Sequence, residues 1–278
     1  YCGPVLGKLP VQAVDTGGVL RVLEPIWSEK PETATRLRAR MERVLDWATV
    51  RGYRTGDNPA RWRGHLDKLL PKLKKRLRVR HHPALPYDDI GKFTSELRSL
   101  EGVAPRALEF LILTVARTGE VLGARRNEFD LAKGMWTVPA GRMKGEREHR
   151  VPLSARAVAI VRELLKNHAG EYVFPTPRDV KPLSNMALLQ VLQERMGRED
   201  LTVHGFRSSF RDWASERTNF AREVAEMALA HVISDETEAA YRRGDLFEKR
   251  RRLMDEWAKH CATEKPAAKV LPMRRRHR

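Results

Sequence analysis

Apolar residues in the first third of the chain recur with the period of an α-helix. Between residues 34 and 50 they follow the spacing i, i+4, i+7, i+8 and i+11, which places them on one helical face: Leu37, Met41, Val44, Leu45 and Ala48. Thr33 suits the N-cap of this helix, and Gly52 suits its C-terminal end. The pattern predicts one long amphipathic helix.

Prolines mark the ends of two further helices in this region. Residues 19–23 are apolar apart from Arg21 and close a short helix before Pro25. Asn58 followed by Pro59 has the form of a cap and a first helical residue, and we expect that helix to end at Pro71. The first region is therefore predicted to be a small all-helical unit.

From about residue 87 the pattern predicts a second, mixed region. Residues 88–100 and 105–116 read as helices, and the almost wholly apolar run 108–113 places the second of them in the centre of a core. Residues 135–138 and 149–153 have the composition of strands and flank a glycine-bounded turn at 141–146.

The remainder of this region is helical in pattern. A short helix passes through residues 121–122, and further helices are predicted from Ser154 onward and at 184–196, 204–216, 221–230, 235–242 and 246–260. The fold class predicted is mainly α with a small antiparallel β-sheet.

Composition favours a folded protein with a polyanionic partner. The 278 residues are 41% hydrophobic and 32% charged, and the formal net charge is +17. That charge favours nucleic acid first, with an anionic membrane surface as the competing interpretation. No apolar run approaches the ~18 residues of a spanning helix, and no signal-peptide pattern opens the chain. Cys2 and Cys261 have no metal-like spacing and are expected to be reduced thiols of a cytoplasmic protein.

A run of cations separates the two regions. Within 72–82 they are Lys72, Lys74, Lys75, Arg76, Arg78 and Arg80, and two prolines follow at 83 and 86. Such a run is commonly a solvated face or a flexible tail, but between two folded units of a basic protein it is expected to follow a phosphate backbone. We expect a helical DNA-binding domain at 1–78, a linker at 79–86, a mixed domain at 87–262 and a disordered basic tail at 263–278.

Two arginines and a histidine have the chemistry of a phosphate site. His204 and Arg207 are three residues apart at the start of a helix, where they share one face and where an anion is favoured. Arg117, at a second helix end, supplies another planar cationic fork. Two such forks on one phosphodiester stabilise a pentacoordinate transition state without a metal. Taken alone, His-x-x-Arg is usually structural, and Arg117 is more often a surface ion pair with Glu120.

The reaction also needs a nucleophile, a histidine that assists it and a general acid. Three further residues supply these groups: Tyr241, His231 and Lys144. Tyrosine has a reference pKa of about 10, so as a nucleophile it needs cationic neighbours and a histidine. Lys144, in the predicted turn between strands, suits a general acid for a leaving hydroxyl. Each residue alone has a simpler explanation, since tyrosines pack and hairpin tips carry lysines. Their occurrence together, in the order Arg, Lys, His-x-x-Arg, His, Tyr, is the informative feature.

The second region resembles the catalytic domain of the tyrosine recombinases, specifically phage and genomic-island integrases of the tRNA-associated type. Four segments carry the resemblance: Ala-Arg-Thr-Gly-Glu-Val-Leu-Gly-Ala at 116–124, Met-Lys-Gly at 143–145 with the later His-Arg-Val-Pro-Leu-Ser, residues 202–214 around His-Gly-Phe-Arg, and Leu-Ala-His at 229–231 leading to Glu-Ala-Ala-Tyr-Arg-Arg-Gly-Asp. The match spans roughly residues 85–262. The first region looks like the core-binding domain of that family, less specifically.

The resemblance implies a reaction and a role for each residue. Tyr241 would attack the scissile phosphate to form a 3′-phosphotyrosyl link and release a 5′-hydroxyl. Arg117, Arg207 and His231 would stabilise the phosphate, Lys144 would protonate the leaving oxygen, and His204 would assist proton transfer. No cofactor, ATP or metal is expected. The partners implied are double-stranded DNA at attachment sites, a homotetramer on DNA that is a monomer when free, and DNA-bending accessory proteins, in the bacterial nucleoid and not at a membrane.

One departure and two alternatives accompany the resemblance. Family members carry an amino-terminal arm-binding domain for which this chain has no room, so we expect a truncated chain whose arm-site binding is impaired. A type IB topoisomerase shares the chemistry, although the basic helix after Tyr241, with Leu253, Met254 and Trp257, suggests contact with another protomer and so favours a recombinase. A non-catalytic sequence-specific DNA-binding protein is the alternative outside enzymes.

Overall fold

The chain forms two compact units, Tyr1–His81 and His82–Arg278. The structure is a computed structural model, and it describes residues 1–72, 83–177, 181–231 and 244–264. Each unit has its own hydrophobic core, so each is described by itself. The predicted helix at 235–242, most of the linker cations and the tail from residue 265 lie outside the described residues.

In the described part of the first unit the main helices are α1 Cys2–Leu6, α2 Thr16–Trp27 and α3 Pro31–Val50. The Asp15 carboxylate caps α2 by accepting a hydrogen bond from the Gly18 backbone N–H at 2.7 Å. The helix continues through Pro25 to Trp27, so the predicted end before Pro25 is wrong. Ile26 and Trp27 are buried, and their packing holds the last turn although the proline removes one backbone donor.

The long helix α3 differs from its prediction in two ways. It begins at Pro31 after Lys30, because proline is preorganised for the first helical position, and Thr33 is therefore not the cap. Met41, Leu45 and Ala48 are buried as predicted. Val44 is 60% exposed, because the buried face of α3 is narrower than the apolar face that the sequence pattern predicts.

The helix predicted after Asn58-Pro59 does not form as one element. Asn58 accepts a hydrogen bond from Ala60 N–H and donates to the Glu42 carbonyl at 2.8 Å, which ties a turn to α3. A π-type segment, Trp62–Leu66, and one helical turn, Asp67–Leu69, follow. They are kinked because Gly64 has a φ of +72°.

The second unit places helices around a three-stranded antiparallel sheet of order β1-β2-β3. Its elements are α4 Ile90–Arg98, α5 Val103–Thr114, α6 Thr118–Leu122, β1 Phe129–Asp130, β2 Met135–Val138, β3 His149–Pro152, α7 Ala155–Asn167, α8 Ala187–Gln190, α9 Gly205–Arg217, α10 Arg222–Ala228 and α11 Phe247–Ala262. A π-type segment, Val191–Arg195, continues α8. Short 3₁₀ turns occur at Val11–Ala13 in the first unit and at Tyr87–Asp89, Arg126–Glu128 and Ala140–Arg142 in the second. Val138 pairs with His149, so β2 and β3 flank the predicted turn.

Helix α5 occupies the centre of the second core, as its apolar sequence predicts. Every residue from Ala107 to Thr114 is buried. Helix α11 packs against it, and the Trp257 indole donates a hydrogen bond to the Ile112 carbonyl at 2.8 Å. Leu253, Met254 and Trp257 are buried in this same core. This burial accounts for their apolar character within the unit, so they give no support to the protomer contact inferred from the sequence.

Candidate active site

Arg117 leaves the core where α5 ends. Val115 adopts a left-handed conformation with φ of +50°, which is costly for a β-branched residue and turns the chain sharply. Arg117 then precedes α6, and the Glu120 carboxylate accepts from both its backbone N–H and its guanidinium at 2.8 Å. A second guanidinium nitrogen donates to the Ala230 carbonyl at 3.0 Å. Glu120 thus orients the guanidinium.

Arg207 lies on α9, is only 4% exposed and reaches the same place. Its guanidinium donates to the Val115 carbonyl and, at 2.6 Å, to the Leu229 carbonyl. Burial, and next the positive charge of Arg117, lower its pKa to about 10, so it remains a cation at neutral pH. Its Nε is buried without a hydrogen-bond partner in the described part of the chain. An anion oxygen would supply the acceptor that this nitrogen lacks, although Arg54 and Arg142 also have a buried Nε without a partner among the described residues.

His231 completes this cluster at the end of α10. Its Nε2 lies 3.3 Å from an Arg207 guanidinium nitrogen, and its Nδ1 lies 2.6 Å from a Glu226 carboxylate oxygen. Burial alone would raise the pKa of Glu226, but hydrogen bonds from His231 and Arg211 lower it below its usual value. Glu226 therefore remains ionised, holds the imidazole by Nδ1 and leaves Nε2 directed at Arg207.

His204 stands at the N-cap of α9, exposed and one turn before Arg207. The start of this helix is pressed against residues 83–85. A Cβ added to Gly205 would lie 2.2 Å from the Pro83 carbonyl oxygen, and the Ser209 hydroxyl donates to the Leu85 carbonyl. The glycine of His-Gly-Phe-Arg is required by this close approach, which sets the direction of the helix.

Lys144 lies exposed in the turn between β2 and β3. No hydrogen bond or ion pair joins it to another residue that the structure describes. The turn is nevertheless anchored near Arg117, because Arg142 donates to the Glu120 carbonyl at 3.1 Å and to the Glu128 carboxylate at 2.6 Å. Tyr241, the predicted nucleophile, lies outside the described residues. The structure thus brings together Arg117, Arg207 and His231 and leaves the other three roles as predictions.

Two family models match the chain. The model described as the phage integrase family matches residues 87–246, and the phage integrase central domain matches residues 1–65. The first match covers more than half of the sequence. The chain belongs to the phage integrase family.

Curated relatives of this integrase-family chain agree with the match. Prophage integrase IntZ of Escherichia coli (strain K12) is 31% identical over 258 residues, and prophage integrase IntA of the same organism is 30% identical over 261 residues. The integrase of Enterobacteria phage P4 is 29% identical over 277 residues. Each alignment covers 92% of this chain but only 61% or 62% of the relative. The chain therefore spans about three fifths of the length of these relatives.

Solved structures show the same fold. A lambda integrase (75–356) dimer bound to a COC′ core site has a TM-score of 0.59 at 19% identity, and the match covers 83% of both chains. A lambda integrase tetramer bound to a Holliday junction has a TM-score of 0.60 at 16% identity, covering 84% of this chain and 68% of that one. These matches confirm the predicted mainly α fold with a small antiparallel sheet.

Two residues beside the arginines were not singled out from the sequence of this integrase-family chain. Burial, and then the charges of Arg250, Arg117 and Arg207, lower the pKa of His149 to about 4, so this histidine is neutral at neutral pH. Glu226 holds His231. The sequence signals were a histidine that begins both a predicted strand and the His-Arg-Val-Pro-Leu-Ser segment of the resemblance, where no role was assigned to it, and a glutamate five residues before His231. Neither feature distinguishes a residue of the active site from a residue that is exposed to solvent.

Among the described residues, no group of three or more histidine, cysteine, aspartate or glutamate side chains is arranged to hold a metal ion. None of the described helices combines the length and apolar character that crossing a bilayer requires.

Proposed function

We propose that this chain is the DNA-binding and catalytic part of a site-specific recombinase that cleaves and rejoins duplex DNA for integration or excision of a mobile element. One observation carries the proposal. Arg117, Arg207 and His231 converge from three helix ends, and the buried Nε of Arg207 lacks a partner. Such a cluster matches the three equatorial oxygens of a phosphodiester in its transition state.

In the proposed reaction the Tyr241 hydroxyl oxygen bonds to phosphorus, and the bond from phosphorus to the 5′ oxygen breaks. Lys144 gives a proton to the departing 5′ oxygen, while His204 assists removal of the tyrosine proton. The arginines and His231 hold the negative charge throughout. Attack by a second 5′-hydroxyl reverses each step, and the phosphotyrosyl bond conserves the free energy of the original phosphodiester. The proposal therefore includes no ATP, cofactor or metal.

The two units take separate parts in this proposal. Residues 1–78 would be a core-type DNA-binding domain, 79–86 a linker and 87–262 the catalytic domain. The linker cations would follow a phosphate backbone. Four protomers would assemble on paired attachment sites, with a monomer off DNA and accessory proteins that bend the DNA. Such a protein would act on the nucleoid in the cytoplasm.

Trapping on a nicked duplex that carries the attachment sequence tests the proposal. The nick lets the short strand diffuse away after cleavage, so the covalent complex accumulates and shows on a denaturing gel. We expect an adduct in EDTA with the wild type and none with Tyr241→Phe, while Arg207→Lys, which keeps the charge but loses the fork, forms it at least tenfold more slowly. Tight binding to a pool of genomic fragments without any adduct would leave a non-catalytic DNA-binding protein.

The topoisomerase alternative has its own readout in the same samples. A type IB enzyme relaxes supercoiled plasmid of any sequence as a monomer, whereas a recombinase exchanges strands only between two sites. We expect recombinant products from paired sites and no relaxation of a plasmid that lacks them.

A further inference from the structure

The turn that carries Lys144 is joined to the body of the second unit by Arg142, two residues earlier. One terminal nitrogen of the Arg142 guanidinium donates to the Glu120 carbonyl at 3.1 Å, and the other donates to the Glu128 carboxylate at 2.6 Å. The Arg142 Nε is buried without a partner among the described residues, so the two terminal nitrogens hold this side chain. We name Arg142, Glu120 and Glu128 the Arg142 latch.

The Glu120 end of the latch is shared with the phosphate site. The Glu120 carbonyl accepts from Arg142, while its carboxylate accepts from both the backbone N–H and the guanidinium of Arg117, each at 2.8 Å. Glu120 is only 4% exposed. Hydrogen bonds to a charged group are stronger than bonds between neutral groups. One buried residue therefore connects the Lys144 turn directly to Arg117.

The Glu128 end of the latch is fixed by the sheet. Besides the bond from Arg142, the Glu128 carboxylate accepts from the Trp136 indole of β2 at 2.9 Å and from the Arg125 backbone N–H at 3.2 Å. Trp136 is fully buried in the core. The Glu128 side chain is itself only 7% exposed, so its charge requires the cation that Arg142 supplies.

Gly123 leaves the space that the latch occupies. A Cβ added to Gly123 would lie 2.5 Å from the Arg142 nitrogen that donates to the Glu120 carbonyl. The φ of Gly123 is −88°, which other residues adopt without strain. Glycine is therefore suited to this position because the guanidinium approaches closely, and not because of the backbone conformation.

The chain has little freedom between Arg142 and Lys144. Met143, which separates them, is 8% exposed and belongs to the core of the unit. Its backbone N–H donates to the Ala140 carbonyl at 3.0 Å, and its carbonyl accepts from the Glu146 N–H at 3.1 Å. Two residues span at most about 7 Å. The exposed Lys144 side chain therefore extends from a backbone that the latch holds in place.

We propose that Arg142 is a positioning residue that fixes the Lys144 turn beside Arg117, so that Lys144 delivers its proton to the departing 5′ oxygen. This inference rests on the proposed function, in which Lys144 is the general acid, and deepens it. Loosening the latch slows proton delivery but leaves the phosphate held, because the Glu120 carboxylate still orients Arg117.

Arg142→Ala and Arg147→Ala form a matched pair for the test. Both changes remove one positive charge from the same turn, but Arg147 is exposed and no hydrogen bond or ion pair joins it to another described residue. The two variants are compared in single-turnover cleavage of the nicked duplex at saturating protein. One duplex has the ordinary bridging 5′ oxygen, and a second has sulfur in its place, which leaves as a thiolate without needing a proton.

We expect Arg142→Ala to form the adduct about tenfold more slowly than Arg147→Ala on the oxygen duplex, because a small misplacement of a catalytic group costs up to about 10²-fold. On the sulfur duplex we expect the two rates to agree within about twofold, since the general acid is no longer needed. Equal rates on the oxygen duplex, or a defect that persists on the sulfur duplex, would overturn the positioning role.

A double variant asks whether Arg142 acts through Lys144. On the oxygen duplex, adding Arg142→Ala to Lys144→Ala should cause no further slowing, because a positioning residue has no effect once the group that it positions is gone. Defects that multiply in the double variant would overturn the inference.

Gly123→Ala loosens the latch without removing a charge, and it serves if Arg142→Ala does not fold. Its control is Gly141→Ala in the same turn, where an added Cβ meets no atom within 4 Å. We expect Gly123→Ala to be about threefold slower than this control on the oxygen duplex and equal to it on the sulfur duplex. Equality on both duplexes again overturns the role. A wild-type protein that forms no adduct with any attachment DNA would overturn the proposed function itself, which none of these comparisons does.

Discussion

His149 is a neutral histidine among arginines. Partial burial reduces its hydration, and the positive charges of Arg250, Arg117 and Arg207 disfavour a further proton, while Asp245 opposes them only in part. The pKa is about 4 in the folded chain and about 6.5 in an unfolded one. The unfolded chain therefore binds more protons between these two values.

The stability of the second unit should depend on His149 in that pH range. The difference in pKa contributes up to about 3 kcal/mol to the free energy of unfolding. This contribution is fully present above pH 6.5 and is lost as the pH falls towards 4. We expect the free energy of unfolding, measured in urea, to change less between pH 4 and 6.5 in His149→Asn than in the wild type, because asparagine cannot be protonated. An unchanged slope of stability against pH would contradict this assignment.

Glu226 is the residue that sets the orientation of His231. His231 is proposed to stabilise the charge on the phosphate. Removing one such preorganised group costs about 10²–10³-fold in rate, and loss of its orienting partner removes part of that. We expect Glu226→Gln to slow single-turnover cleavage by about tenfold, because an amide oxygen is a weaker hydrogen-bond acceptor for the His231 ring than the carboxylate and orients it less firmly. Glu223→Gln makes the same charge change on the exposed side of α10 and is the control. Equal cleavage rates in the two variants would contradict the role.

A buried carboxylate joins three helices of the second unit. Glu109 of α5 is fully buried and accepts hydrogen bonds from Arg98 of α4 at 2.6 Å and, twice at 2.8 Å, from Arg156 of α7, with Arg106 at 3.4 Å. Burial would raise the pKa of Glu109, but the bonds from Arg156 and Arg98 lower it below its usual value. Its contribution to stability is therefore present at neutral pH and is lost in acid.

Removing this carboxylate leaves three arginines facing one another. We expect Glu109→Ala to lower the free energy of unfolding by about 3–5 kcal/mol at pH 7, because breaking a buried ion pair leaves uncompensated charge. Urea denaturation measures the change. Glu163→Ala, on the exposed face of α7, should stay within about 0.5 kcal/mol of the wild type. A similarly small change in the free energy of unfolding for both variants would show that Glu109 is dispensable for stability.

Helices marked by an apolar run or a capping residue were predictable from the sequence. Elements that depend on contacts with other parts of the chain were not. Helix α5 is mostly apolar, and Ser154 caps α7 by accepting from Ala157 N–H, so both helices formed as predicted. The helix predicted after Asn58 does not form, because the Asn58 side chain bonds to α3 instead of capping a new helix. Strand β1 has only two residues and is held by β2, so no period in the sequence marks it.

The net charge of +17 is the property of the whole molecule that bears most directly on DNA binding. Each cation that engages a phosphate steepens the fall of affinity with salt by about 0.9 in the logarithmic slope. We expect replacement of Lys72, Lys74 and Lys75 by glutamine to reduce that slope by about 3. Lys72 is exposed, and the other two lie outside the described residues.

The control for this prediction is an equal loss of charge elsewhere. Replacing Arg162, Lys166 and Lys259, all exposed in the second unit, by glutamine gives the same net charge. We expect the slope to stay within about 1 of the wild type. If both triple variants change the slope equally, the linker cations have no special part in binding DNA, and net charge alone accounts for the effect.

The sequence by itself determined the helical character, the small sheet and the order of the chemical groups, because periodicity, caps and residue types act over a few neighbouring residues. It also determined family membership through short motifs. The tertiary structure alone decided which charges meet. Arg117 bonds to Ala230 across 113 positions and Arg150 to Asp245 across 95, and such contacts depend on how helix ends converge. The neutral state of His149 and the buried cation of Arg250 follow from that convergence, since desolvation and neighbouring charge exist only in the folded chain.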